Sequence, residues 1–236
     1  MIEVNVDMGE RGFAHPEDLE LLSLVNRVNL AVGGHAGDKR TALNFQKRAM
    51  DLGVMVSVHP SYPDREHFGR RNLEISMEDL ISSLSQQCGI LEDVRSVKFH
   101  GALYNQAWVD DDLARSLAQW CVKEGYEEVL CPPGSFLERR CFDEGISVLR
   151  EGFSDRAYIQ TIAGEIALMP RGESAAVLSN EKALRQVQDG YLKGRVPLAG
   201  KKGLWFDGEW DTWCIHSDRP GAVVLASLVR EWLQGV

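Results

Sequence analysis

Short apolar runs alternate with amphipathic stretches from one end of the chain to the other. The runs predict strands near residues 2–7, 28–34, 54–59, 96–100, 128–131, 146–150 and 212–216. Between them, apolar residues return at helical spacing. Ala42, Phe45, Ala49 and Leu52 form a stripe within 39–52, and Leu80, Ile81, Leu84, Cys88 and Leu91 another within 77–93. Leu113, Leu117, Trp120 and Cys121 do the same within 110–124, where three aspartates open the first turn and Gly125 follows the last. A fourth stripe, Leu225, Leu228, Val229, Trp232 and Leu233, falls within 219–234. Such β–α alternation implies a parallel sheet with helical crossovers.

The faces of the strands decide the form of that sheet. Val4 and Val6 oppose Asn5 and Asp7; Val54, Val56 and Val58 oppose Met55, Ser57 and His59; Val97 and Phe99 oppose Lys98 and His100. A doubly wound sheet is apolar on both faces. One apolar and one polar face instead predict an α/β fold closed, or nearly closed, into a (β/α) barrel of about seven strands. In such a barrel chemistry sits at the carboxyl ends of the strands. No linker and no repeat beyond the βα unit interrupts the pattern, so a single barrel domain over 1–236 is expected.

Composition narrows the function. A net charge of −9 argues against nucleic acid and anionic membrane as partners, and no apolar run is long enough for a membrane span. The five cysteines are odd in number and lack CxxC spacing, which predicts buried free thiols in a reducing cytoplasm. There is neither a P-loop nor a GxGxxG after a strand, so the chain carries no recognisable nucleotide motif.

Four of the six histidines close apolar runs: His35 in VGGHAGD, His59 in VSVHPSYPD, His100 in VKFHGALYN and His216 in WCIHSD. Asp7 holds the equivalent place in IEVNVDMGE. The expectation is that Asp7 and these imidazoles converge on one solvent-filled pocket, either for acid–base work or around a divalent metal, with Asp7, His35, His59 and His100 as candidate ligands. Without HExxH or HxH, spacing leaves the two open. Asp38 could orient His35 or cap the helix that follows. Pro60 and Pro63 stiffen the loop after His59, and Arg70 beyond it is a candidate carboxylate binder. Tyr104 and Asn105 follow His100 closely. Segments 155–158 and 169–171 are candidate rim elements. His15 and His67 lie in loops and have no such claim.

Taken together these segments resemble the LamB/YcsF family, which includes the A subunit of bacterial 5-oxoprolinase. The resemblance rests on NVDMGE from Asn5, GHAGD from Gly34, HPSYPDR from His59, FGR from Phe68, KFHGALYN from Lys98, DRAY from Asp155, MPR from Met169 and CIHSD from Cys214, in family order. It implies a barrel like that of the carbohydrate deacetylases and glycoside hydrolases, often seven-stranded and partly distorted. It also implies ATP-dependent opening of 5-oxo-L-proline to L-glutamate, with B and C partner subunits sharing the ATP chemistry. On this reading Asp7, Glu10, His35, His59, Asp64 and His100 are the catalytic set, with His59 or His100 as general base. Asn5, Asp38, Arg65, Arg70, Lys98, Tyr104, Asn105, Asp155, Arg171 and His216 contact substrate. Gly34, Phe99, Ala157 and Ser217 depart from the family readings GFHAGD, KPHG, DRGY and CxHGD, and losing a glycine removes easy access to positive φ. The alternatives are a paralogue acting on a related lactam, a stand-alone metal-dependent amide or acetyl hydrolase, and a non-catalytic subunit.

Overall fold

The computed structural model describes residues 2–201 and 203–235. Its strands are β1 (Glu3–Met8), β2 (Arg27–Ala31), β3 (Met55–His59), β4 (Ser96–Lys98), β5 (Glu128–Cys131), β6 (Ser147–Phe153), β7 (Tyr158–Gln160), β8 (Ile166–Leu168), β9 (Arg195–Pro197), β10 (Trp205–Asp207) and β11 (Thr212–His216). Seven of them close a parallel barrel in the order β1-β11-β6-β5-β4-β3-β2. Closure is made by β1, which pairs with β2 on one side and β11 on the other, so Asp7 lies directly beside His216. The remaining strands form two antiparallel hairpins, β7–β8 and β9–β10, inserted between β6 and β11.

Helices α1 (Pro16–Leu22), α2 (Lys39–Leu52), α3 (Met77–Cys88), α4 (Gly101–Val109), α5 (Asp111–Glu124), α6 (Phe136–Asp143), α7 (Asn180–Lys193) and α8 (Ala222–Gln234) complete the chain. The outer strand face is the apolar one: Val4, Val6, Val28, Leu30, Val58, Val97, Phe99, Val129 and Trp213 are all buried in the hydrophobic core.

The inner face is polar and buried as well. At the amino-terminal end, Arg27 reaches across the barrel to Ser57, Ser96 and Glu128. Above it, Asn29 donates to Asn5, and Asn5 donates to Thr212. These residues enter the stack through the alternation read from the sequence. Their hydrogen bonds sustain a polar interior, because a buried polar group is destabilising only when unpaired.

Boundaries differ from expectation at several elements. The helix expected over 77–93 stops at Cys88, where Gly89 caps it. The strand expected to reach residue 34 stops at Ala31, so His35 lies in the following turn and not on a strand end. Strand β6 runs past residue 150 to Phe153. Four helices (α1, α4, α6 and α7) and both hairpins are additions to the elements expected from the pattern. Helix α4 is apolar around much of its circumference and so carries no clear helical stripe.

Candidate active site

At the carboxyl end of the barrel the polar stack becomes a charge network. The Lys98 ammonium, 2% exposed, donates to Asp7 Oδ1 at 2.7 Å. It also lies 2.9 Å from Glu151 Oε1, a Coulombic contact without hydrogen-bond alignment. Asn29 donates to the same Asp7 oxygen, and the Tyr104 hydroxyl donates to Glu151 Oε2. Burial opposes ionisation of Asp7, but His59 and Lys98 outweigh it and hold its carboxyl well below the usual range. Burial likewise opposes charge on Lys98, yet Asp7 and Glu151 keep its ammonium strongly favoured.

Above Asp7 three imidazoles meet. His59 Nε2 lies 3.4 Å from Asp7 Oδ2 and 3.0 Å from His100 Nδ1. The His35 ring stacks on the His100 ring with centroids 3.6 Å apart, and Glu10 Oε1 lies 2.9 Å from His35 Nε2. Burial pushes His35 and His100 below the ordinary imidazole value, so both favour the neutral form. Phe68 packs beside both rings, and its carbonyl accepts from His100 Nε2. Phe68 adopts a φ of 57°, a rare conformation for a non-glycine residue. Gly101 follows His100 at φ 59°, and a Cβ there would sit 2.4 Å from the Gly69 carbonyl oxygen, so only glycine allows that approach.

Between this cluster and the hairpin β7–β8 opens a cavity of about 370 Å³. Asp7, His59, Lys98, His100, Tyr104, Phe153 and His216 line its depth, and Arg70, Asn105, Arg156, Met169 and Arg171 its rim. Arg70 and Arg171 both donate to Asp218 Oδ2 at 3.0 Å. Arg156 is tied to the carbonyls of Met169 and Ala176. Burial and the charges of Arg171 and Arg70 bring its guanidinium down to about 10. His216 Nδ1 lies 2.8 Å from Asp155 Oδ1, and burial of Asp155 is outweighed by His216, so its carboxyl stays ionised. A carboxylate there fixes the imidazole with Nδ1–H inward and Nε2 free to act, a general-base arrangement.

The model of the LamB/YcsF family matches residues 2–236. The chain belongs to that family. Among relatives, the A subunit of a 5-oxoprolinase from Brevibacillus brevis is 35% identical over 99% of this chain and 94% of its own. Its counterpart from Carboxydothermus hydrogenoformans is 33% identical over 98% and 93%. The crystal structure of a lactam utilization protein from Thermus thermophilus superposes with a TM-score of 0.82 at 32% identity, covering 99% of this chain and 96% of that one.

The residues of the LamB/YcsF motifs are not all brought to the cavity. Asp7, His59, Lys98, His100, Tyr104, Asn105, Arg70, Arg171 and His216 line it, and Glu10 and His35 stand against the imidazole cluster. Three residues correct the expectation. Asp38 caps α2 by accepting from the Thr41 amide, and the partner of His35 is Glu10 instead. Arg65 donates to the Gly33 and Gly37 carbonyls and pins that turn from outside. Asp64 engages His67 in its own loop. Asn5 lies below Asp7 in the barrel stack, and Asp155 touches His216 from behind.

Glu151 is absent from the residues expected at the site, and Arg156 enters there only as part of a rim segment. Both lie beyond residue 150, where the apolar pattern of the sixth strand ends, and the run Arg150-Glu151 reads as a surface turn. The departures at Gly34, Ala157 and Ser217 are accommodated. Ala157 and Ser217 have no positive φ, and a Cβ at Gly34 would meet Gln87 Oε1 at 2.2 Å. Gln87 fills that space and holds both the amide and the carbonyl of Ser61.

Proposed function

We propose that this chain is the ring-opening subunit of an ATP-dependent 5-oxoprolinase, converting 5-oxo-L-proline to L-glutamate together with B and C partner subunits. The observation that carries the reading is one small cavity holding three guanidiniums on its rim and an Asp-oriented imidazole in its depth. A small cyclic amide bearing a carboxylate needs both: cations for its anion, and a base for the water that opens it. The full-length relatives named as A subunits of 5-oxoprolinase support the choice of lactam.

Arg70, Arg156 and Arg171 hold the anionic groups. ATP, handled with the partner subunits, activates the lactam oxygen by phosphoryl transfer and makes the ring carbon electrophilic. Water attacks that carbon, His216 takes its proton, the carbon–nitrogen bond breaks and the ring nitrogen leaves protonated; a second water then hydrolyses the acyl phosphate so formed, releasing phosphate and L-glutamate. His216 is preferred over His59 and His100 as base because those two nitrogens face each other rather than open space. Asp7, fixed by Lys98 and Asn29, is placed to assist. The cytoplasm fits five cysteines that form no disulfide. Among the described residues no helix is long and apolar enough to cross a membrane.

Glutamate release from 5-oxoproline and ATP, with and without candidate B and C subunits, tests the reading. His216→Ala and Asp7→Asn each lower kcat by at least about 100-fold, the scale of a lost acid–base group. Near-normal turnover in both variants rejects the scheme. Hydrolysis by the isolated chain without ATP supports a stand-alone amide hydrolase instead.

A further inference from the structure

The facing nitrogens of His59 and His100 pose a problem that the ring-opening scheme does not resolve. His59 Nδ1 lies 2.7 Å from the Lys98 carbonyl oxygen, and His100 Nε2 lies 3.0 Å from the Phe68 carbonyl oxygen. A carbonyl only accepts, so each of these nitrogens carries the proton. In its neutral form each ring then offers a lone pair at its other nitrogen. Those two lone pairs, on His59 Nε2 and His100 Nδ1, point at one another across 3.0 Å.

Carboxylates close the remaining sides. Glu10 Oε1 is 3.6 Å from His100 Nδ1, and Asp7 Oδ2 is 3.4 Å from His59 Nε2. Asp7, Glu10 and Glu151 are 8%, 6% and 0% exposed at their side chains. Among the described residues, Lys98 is the one ammonium or guanidinium in ion-pair reach of these three, so three buried carboxyl groups share one such cation. Buried charge of this kind is paired or coordinates a metal.

We propose that Glu10 Oε1, His59 Nε2 and His100 Nδ1 bind one divalent transition-metal ion, with Asp7 beside it and an open position toward the cavity. Ligand atoms around a four-coordinate zinc-type ion stand roughly 3.3 Å apart, given bonds of about 2.0–2.1 Å. The separations here, 3.0 and 3.6 Å, bracket that value. Metal-bound imidazoles commonly donate their second N–H to a backbone carbonyl, as both do here. His35 is a positioning residue. Stacked parallel on His100, it cannot aim its own lone pair at the same point, but its Nε2–H orients Glu10. The ion supplies a Lewis acid at the cavity floor whether or not the substrate is 5-oxoproline.

The test is binding, independent of turnover. The full-length protein, stripped with chelator and dialysed separately against Zn²⁺ and Co²⁺, retains one equivalent per chain by elemental analysis. Its Tm rises with the ion, and Co²⁺ gives the absorption of a four- or five-coordinate site. Glu10→Gln, His59→Gln and His100→Gln each bind at least about tenfold more weakly, whereas His67→Ala, a loop imidazole outside the cavity, binds like the parent. Wild-type protein that retains far less than one equivalent of either ion overturns the proposal, and so does uptake that the three substitutions leave unchanged. A proton shared between His59 and His100 in histidine NMR, in protein that takes up neither ion, identifies the alternative that replaces it.

Discussion

Lys98 shows how much one residue carries here. Its ammonium is the cation on which two buried carboxylates, Asp7 and Glu151, depend. Removing one partner of a buried ion pair strands the other in a medium that solvates it poorly. Lys98→Met therefore destabilises the fold by about 3–5 kcal/mol, read as a lower urea midpoint at neutral pH. An unchanged midpoint would mean that the carboxylates find water or a proton instead. Phe68 is costly in a different way. Its left-handed backbone is held by the His100 contact to its carbonyl and by Arg70, stacked 4.6 Å from its ring centroid. A strained residue bridging the imidazoles and the rim links the two halves of the site.

Among elements, the turns after the strands do the positioning, and helix starts lock the turns. Asp38 ends the turn that carries His35 and begins α2, with its side chain on the Thr41 amide. In this structure its side chain acts as the cap of α2. Asp38→Ala lowers the Tm by removing the N-cap and leaves KM for the lactam unchanged. Thermal unfolding and steady-state kinetics of that variant check both halves, and a raised KM would return Asp38 to the substrate site. Such caps are legible because Asp or Ser directly before a helical stripe is a local signal. Glu151 is not, because what makes it a buried residue is Lys98, on another strand and far away in sequence.

Over the whole molecule, carboxylates held below their ordinary range tie separate parts of the barrel together. Asp7 on β1 is stabilised through His59 and Lys98, Asp155 after β6 through His216, and Asp218 after β11 through Arg171 and Arg70, each against the effect of burial. Each has a folded-state value below its unfolded one. Its contribution is complete above the unfolded value of about 3.9 and fades as the pH falls toward the folded value. Stability thus drops steeply as the pH is lowered below about 4, and urea midpoints across a pH series check this. Asp7→Asn flattens the acid limb. A wild-type midpoint that is level on the acid side would contradict the three shifts.

The sequence alone determined the polar and apolar faces of the strands, the barrel that those faces require, and which imidazoles gather at its mouth. Period-two alternation and strand-ending turns are written into neighbouring residues, so they need no partner to be read. Tertiary structure decided the rest: Glu10 rather than Asp38 beside His35, Glu151 beneath the cavity, and two imidazole nitrogens facing each other. Those are contacts between strands and turns far apart in the chain. Their distances are set by how the barrel closes, and no local pattern carries that information.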